Sequence, residues 1–264
     1  MVRFYGAVAE GGARDLRDED FASIGRAMNF DPLKLQAIAD VEAAGDGFLP
    51  DGRPKILYEA HIFSRLTERA FDKTHPTLSS PRWDRTLYWG NAAEYVRLAN
   101  AMELDADAAL KSASWGAPQI LGKNFARAGY DTVQEMVEDF ADSPHAHIFA
   151  MCTFIDNTGL SDEVRTCDWT AFARGYNGPA FAKHAYHHRI GKAWARRAGL
   201  TWLRRGAVGP EVANLQTLLA REGHDPGTID GAFGPKTNGA LLAFQKASLK
   251  PYPLYEPRTE TKEA

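Results

Sequence analysis

Apolar residues recur at helical spacing along much of the chain, and one of these stripes ends on an acid. Between Asn29 and Phe63, Leu35, Ile38, Ala39 and Glu42 share one helical face, while Lys34 and Asp40 point elsewhere. Asp31 followed by Pro32 supplies an N-cap and a first helical residue that needs no N–H partner, so a helix starts there. Gly45 and Gly47 stop it. Glu42 therefore sits in the last turn of an apolar stripe, where burial and the negative end of the helix dipole both favour the protonated carboxyl. The plainer expectation for a single such glutamate is a frayed helix end turned to solvent.

A turn, FLPDGRP, follows, and then KILYEAHIF, in which Ile56, Tyr58, Ala60 and Ile62 alternate with Leu57, Glu59, His61 and Phe63. Glu59 is thus carried on an extended segment or at the start of a further helix, with Asp46 and Asp51 in the turn before it. Two carboxylates on facing elements are what cleavage of a glycosidic bond requires: one protonates the leaving oxygen, the other positions water or stabilises the positive sugar. The ordinary alternative for Glu59 is an ion pair with Arg53, Arg65 or Arg69.

Other stripes predict further helices. Phe21, Ile24, Gly25 and Met28 line one; Ala92, Tyr95, Val96, Ala99 and Met102 a second, with a further helix start near Leu104. Val133, Met136, Val137 and Phe140 form another, as do Ile148, Met151, Cys152 and Ile155. Asp168 opens a helix with Trp169 and Phe172 facing inward, ending near Gly175. Between Asp72 and Tyr95 prolines and serines predict a long irregular excursion. Its Trp83, Tyr88 and Trp89 are of the kind that stacks on sugar rings, although sealing the loop against the core is the plainer expectation.

Composition narrows the class. At 264 residues and 44% hydrophobic, the chain has room for one medium domain and one small one. A net charge of -3 gives no nucleic-acid footprint. No run has the length of a membrane span, and the opening residues have no signal-peptide core, so synthesis in the cytoplasm without stable membrane insertion is expected. Cys152 and Cys167 are expected as reduced thiols in a helical core. From Lys183 to Arg205 the chain is basic with no acid, a face that attracts anionic envelope polymers or is simply solvated. His184, His187 and His188 share helical spacing, but no glutamate stands between them in a metalloprotease arrangement, so neither metal nor organic cofactor is expected.

The stretch VEAAGDGFLPDGRPKILYEAHIFSRLT resembles the active-site segment of the phage-type N-acetylmuramidase family, endolysins with a lysozyme-like fold. The likeness continues through LDADAALKSASWGAPQILGKNFARAGYDTVQEMV and DWTAFARGYNGPAFAKHAYHHRI, in the family's order. By position it assigns the catalytic glutamate to Glu42 and a second acidic position to Glu59. SASWGAPQILG also resembles the SxGxxQ element of goose-type lysozymes and lytic transglycosylases, with Ser114 and Gln119 framing the saccharide. There an acid precedes the serine; here Lys111 and Ser112 do, which favours the muramidases. In the YNGP turn, Tyr176 is expected to donate to an acetamido group or a catalytic carboxylate, and Asn177 to fix the turn.

After a composition shift near Arg196 to Gly206, the remaining sequence resembles the three-helix peptidoglycan-binding module. Val212, Leu215, Leu218 and Leu219 line one helix; Leu241, Leu242 and Phe244 line another, with DGAFG turning between them. The module's usual ending is replaced by LKPYPLYEPRTETKEA, which reads as a charged tail. The expectation is a mainly α chain: a lysozyme-like catalytic domain over residues 1–198 and a peptidoglycan-binding domain over 199–264. It would act as a monomer on peptidoglycan, cutting between N-acetylmuramic acid and N-acetylglucosamine, with Glu42 as acid. Glu59 is the second carboxylate, with Asp51 and Asp46 behind it. The alternatives are a lytic transglycosylase and a wall-binding or virion protein without activity.

Overall fold

A computed structural model describes residues 16–42 and 47–248. The opening fifteen residues, Gly45, Asp46 and the charged tail lie outside the described residues. The chain divides into two units, residues 1–200 and 201–264.

In the first unit, α1 (Asp18–Ala27) and α2 (Pro32–Glu42) lead into a three-stranded antiparallel sheet. Strand β1 (Ile56–Tyr58) runs directly into α3 (Ala60–Leu66), so the KILYEAHIF segment is first extended and then helical. After the excursion come α4 (Glu94–Met102), α5 (Ala106–Lys111), and the hairpin of β2 (Ala113–Trp115) and β3 (Ile120–Leu121). Helices α6 (Val133–Asp142), α7 (Pro144–Asn157), α8 (Ser161–Thr166), α9 (Trp169–Asn177) and α10 (Tyr186–Arg197) complete it. β2 pairs with β1 through Ile56–Trp115 and Tyr58–Ala113, and with β3 through Ser114–Leu121.

Local chemistry sets the helix starts. The Asp31 carboxylate accepts the Leu33 N–H at 2.9 Å ahead of α2. Ser143 caps α7 with Pro144 at its first position, and Asp168 caps α9 through the Ala171 N–H. The four stripe residues of α6 are all buried, as are Ile148, Met151, Cys152 and Ile155 of α7.

Three details depart from the sequence pattern. In α4 the buried face is Glu94, Tyr95, Arg97, Leu98 and Ala101, while Val96 is exposed, because a buried ion pair takes positions that the apolar pattern assigns to solvent. α9 runs past Gly175, which lacks a side chain because a Cβ would stand 2.5 Å from Leu160; the helix stops at Gly178, φ 76°. Arg189, Arg196 and Arg197 of the basic helix do not form a free cationic face. They bond back to α2, Arg197 gripping both oxygens of Asp40 at 2.7 Å, Arg196 reaching Oδ2 at 3.2 Å, and Arg189 donating to the Val41 carbonyl. Both cysteines are free thiols, Cys152 in the core and Cys167 half-buried at the end of α8.

The second unit contains α11 (Pro210–Arg221) and α12 (Pro235–Ser248). Its inward stripe on α11 is Val212, Gln216 and Leu219, so Leu218 turns outward, and Leu242 on α12 is exposed too. Gln216 is the hub. Its amide N–H groups reach Asp230, Ala232 and Thr237 at 3.0 to 3.2 Å, and its oxygen accepts the Gly231 N–H. A buried amide with its partners satisfied fixes the DGAFG turn against the helix.

Candidate active site

Glu42 is the last residue of α2, and α9 and α10 close around it. Asn177, the last residue of α9, donates from Nδ2 to Glu42 Oε1 at 3.0 Å. Arg189 of α10 holds the neighbouring Val41 carbonyl, lies over the Tyr186 ring at 5.4 Å, and places its positive charge near the carboxyl. Burial pushes Glu42 up to about 7, against the opposing pull of the Asn177 hydrogen bond and the Arg189 charge. Tyr176 and Tyr186 are raised by burial first and by the Glu42 charge second, so both hydroxyls keep their protons. A carboxyl that titrates near neutrality beside two neutral phenols and one guanidinium can act as a proton donor.

Tyr176 fixes the end of α9. Its hydroxyl donates to the Pro118 carbonyl at 2.8 Å, and its ring stacks on Phe172 and meets Phe154 edge-on. It therefore anchors the helix end to the β2–β3 turn, and Asn177, expected to fix a turn, binds the acid instead. Gln119, expected in the cleft wall, has φ 50° and folds its amide back onto the Gly116 and Lys55 carbonyls, bracing the same turn. Ser114 lies mid-strand in β2, half-buried, on the face opposite Ala113 and Trp115.

The turn is pinned from beneath by His147 of α7. Its Nδ1 accepts the Ala117 N–H at 3.2 Å, so its proton sits on Nε2, which bonds the Phe140 carbonyl at 2.9 Å. The ring packs on Phe48 and Phe140, and burial pushes its pKa down to about 4. Gly47 and Gly116 have no room for side chains, since a Cβ on either would stand within 2.8 Å of the imidazole. His147 thus packs against Gly47 and Phe48 and holds the turn that anchors Asn177's helix. Its spacing with Ala150, Met151 and Phe154 was the available signal for an inward imidazole.

Glu59 lies at the other end of the sheet. The Glu42 side adjoins Lys55, whose N–H bonds Gly47 and whose carbonyl accepts from Gly116, whereas the Glu59 N–H bonds Ser112. Lys55 and Glu59 flank the three residues of β1 and stand four residue steps apart, about 13 Å. Glu59 Oε2 accepts from the Tyr88 hydroxyl at 2.5 Å and meets His61 Nδ1 at 3.2 Å. None of the arginines expected as its partner is bonded to it. Arg53 grips Asp51 at 2.6 Å, Arg65 bonds the His61 carbonyl, and Arg69 pairs with Asp72. The Arg53 hydrogen bond also holds the Asp51 carboxyl below its usual range, which disfavours Asp51 as a proton donor.

Tyr88 is held by a buried clasp that the sequence pattern did not reveal. Glu94 accepts the Trp89 and Gly90 N–H groups at 2.7 and 2.8 Å and pairs with Arg97 at 2.8 Å, both side chains fully buried. Arg97 also bonds the Tyr58 and Thr77 carbonyls, tying the excursion to β1. Trp83 and Trp89, expected to seal the loop, are instead 55% and 53% exposed. Among the described residues, no group of three or more His, Cys, Asp or Glu side chains is placed to hold a metal.

Residues 31–198 match the N-acetylmuramidase family, and residues 208–248 match a peptidoglycan binding domain. Among solved structures, the chain is similar to the endolysin of Burkholderia AP3 phage, at 34% identity over 71% of this chain and 72% of that one, TM-score 0.64. No curated protein sequence matches.

Proposed function

Because the chain belongs to the N-acetylmuramidase family, we propose that Glu42 donates the proton when a glycan strand of peptidoglycan is cut. The protein is a modular endolysin: a glycoside hydrolase for the β-1,4 bond between N-acetylmuramic acid and N-acetylglucosamine, followed by a peptidoglycan-binding unit. The observation that carries the assignment is a carboxyl raised to about 7 at a helix end, bonded by Asn177 on one oxygen. Asn177 holds Oε1, so Oε2 presents the proton to the glycosidic oxygen as that bond breaks. Arg189 then stabilises the carboxylate left behind.

Glu59, the second acid that the sequence pointed to, sits at the far end of β1 with Tyr88 and His61, where it meets a sugar of the same glycan strand rather than the bond being cut. Ser114 and Tyr176 line the same substrate path, Tyr176 through its hold on the β2–β3 turn. The enzyme works as a monomer and stays in the bacterial cytoplasm until it is released to the wall; no described helix is long and apolar enough to cross a membrane.

Digestion of purified peptidoglycan followed by mass spectrometry of the new ends tests the reading. Reducing N-acetylmuramic acid ends are expected from the wild type, with a loss of about 10²- to 10⁴-fold in Glu42→Gln. Anhydro ends, or cut stem peptides with intact glycans, would overturn it.

A further inference from the structure

The excursion over residues 72–93 displays an exposed indole on a rigid support, and its underside is polar. Asp84 caps the turn through the Thr86 N–H, Ser80 bonds the Arg82 carbonyl, and the buried Glu94–Arg97 clasp fixes the segment from Thr77 to Gly90. Within it, the Trp83 ring packs against the Tyr88 ring, with centroids 6.3 Å apart. Tyr88 in turn donates to Glu59 Oε2, which His61 also meets. The chain of contacts therefore runs from an exposed aromatic ring to a carboxylate that is only 16% exposed.

We propose that Trp83, Tyr88, Glu59 and His61 form a saccharide subsite for an N-acetylated sugar of the glycan strand, separate from the residue being cleaved. This rests on the glycan-cleaving reading above. Holding an indole in water on a fixed loop leaves apolar area unburied, and the apolar face of a sugar ring is the partner that covers it. One part of the indole rests on Tyr88, and the rest stands in water where a ligand reaches it. Tyr88 and His61 both meet the Glu59 carboxylate at Oε2, leaving Oε1 to accept a sugar hydroxyl or acetamido N–H. Strand spacing sets the subsite about 13 Å along β1 from Lys55, on the side away from Glu42's neighbours. A strand seated at both places is held by binding energy that does not come from the scissile bond.

The test uses the full chain carrying Glu42→Gln, so that no sugar is cleaved, titrated with the N-acetylglucosamine tetramer while the indole N–H resonances are followed by NMR. The resonance that disappears in Trp83→Ala identifies Trp83. It should shift with the tetramer, and Trp83→Ala should weaken binding at that site about tenfold, with Trp83→Phe between. In the active enzyme, Trp83→Ala should raise KM on peptidoglycan with kcat nearly unchanged, the signature of lost uniform binding. An unmoved Trp83 resonance, or wild-type KM in Trp83→Ala, would overturn the subsite. Failure of the muramidase reading shows separately, in the chain ends that the wild type produces.

Discussion

Replacing Glu42 by glutamine should change how stability depends on pH, as well as slow catalysis about 10²- to 10⁴-fold. In the unfolded chain this carboxyl loses its proton near 4.5, and in the folded protein near 7. Between those values the folded state still holds a proton that the unfolded state has released, so stability falls as pH rises through the window and levels off above it. The displacement of about 2.5 units at 1.36 kcal/mol each sets a ceiling of about 3 kcal/mol. Water reaching the part-exposed side chain screens some of this, so about 1 to 3 kcal/mol is expected. Glutamine never ionises and escapes the loss. Urea unfolding of both proteins at steps from pH 4 to 9 should find Glu42→Gln gaining on the wild type between pH 4.5 and 7, with a constant advantage beyond. Other titrating groups are common to both proteins and largely cancel in the difference. The same proton governs activity, so wild-type kcat should decline above about pH 7. A stability difference that is flat across the whole range would mean that Glu42 titrates as an ordinary solvent-exposed acid, and the assignment of the proton donor would fall with it.

Asn177→Ala removes a hydrogen bond that favours the ionised Glu42, so the alkaline decline in kcat should move to higher pH; an unmoved profile would break the link between the two side chains. Arg97→Met leaves Glu94 charged and buried without its partner and should cost about 3 to 5 kcal/mol in chemical unfolding; a loss under 1 would contradict the clasp. His147→Phe removes the acceptor for the Ala117 N–H, at about 1 to 3 kcal/mol near neutrality. Because the folded His147 titrates near 4 rather than 6.5, the wild type should lose stability as pH falls through that interval, a slope that thermal melts of the phenylalanine variant should lack. In the second unit, Gln216→Ala should loosen the DGAFG turn and lower sedimentation with purified cell walls more than cleavage of short soluble glycans; equal losses in both assays would mean the unit serves catalysis directly.

Much of the helical framework was legible because local chemistry and apolar spacing agree in it. Asp31 with Pro32, Ser143 with Pro144 and Asp168 each start a helix by satisfying or lacking N–H groups, and the α6 and α7 stripes are buried as their spacing implies. Where polar residues belong to the core, the same reading failed. Arg97 and Gln216 occupy inward positions because they bond groups elsewhere in the chain, Tyr58 and Thr77 for Arg97 and the Asp230 turn for Gln216, and Glu94 is drawn in as the partner of Arg97; no apolar pattern announces this. Glycine was ambiguous for a related reason: Gly178 ends a helix by its backbone angle, whereas Gly175 makes room for Leu160, and both look alike in sequence.

For the site, the sequence alone determined that an acid closes the apolar stripe of α2, since that depends only on residue spacing and on where the helix ends. Only the tertiary structure decided what the acid meets. Asn177 is 135 residues away and Arg189 lies on α10, and the burial that raises Glu42 to about 7 exists only once α9 and α10 have packed against α2. Glu59 shows the same division: its nearness in sequence suggested a partner for Glu42, yet the strand carries it about 13 Å beyond Lys55, to Tyr88 and His61. Spacing along a chain fixes which face a side chain takes, but its solvation and its charged neighbours are properties of the assembled core.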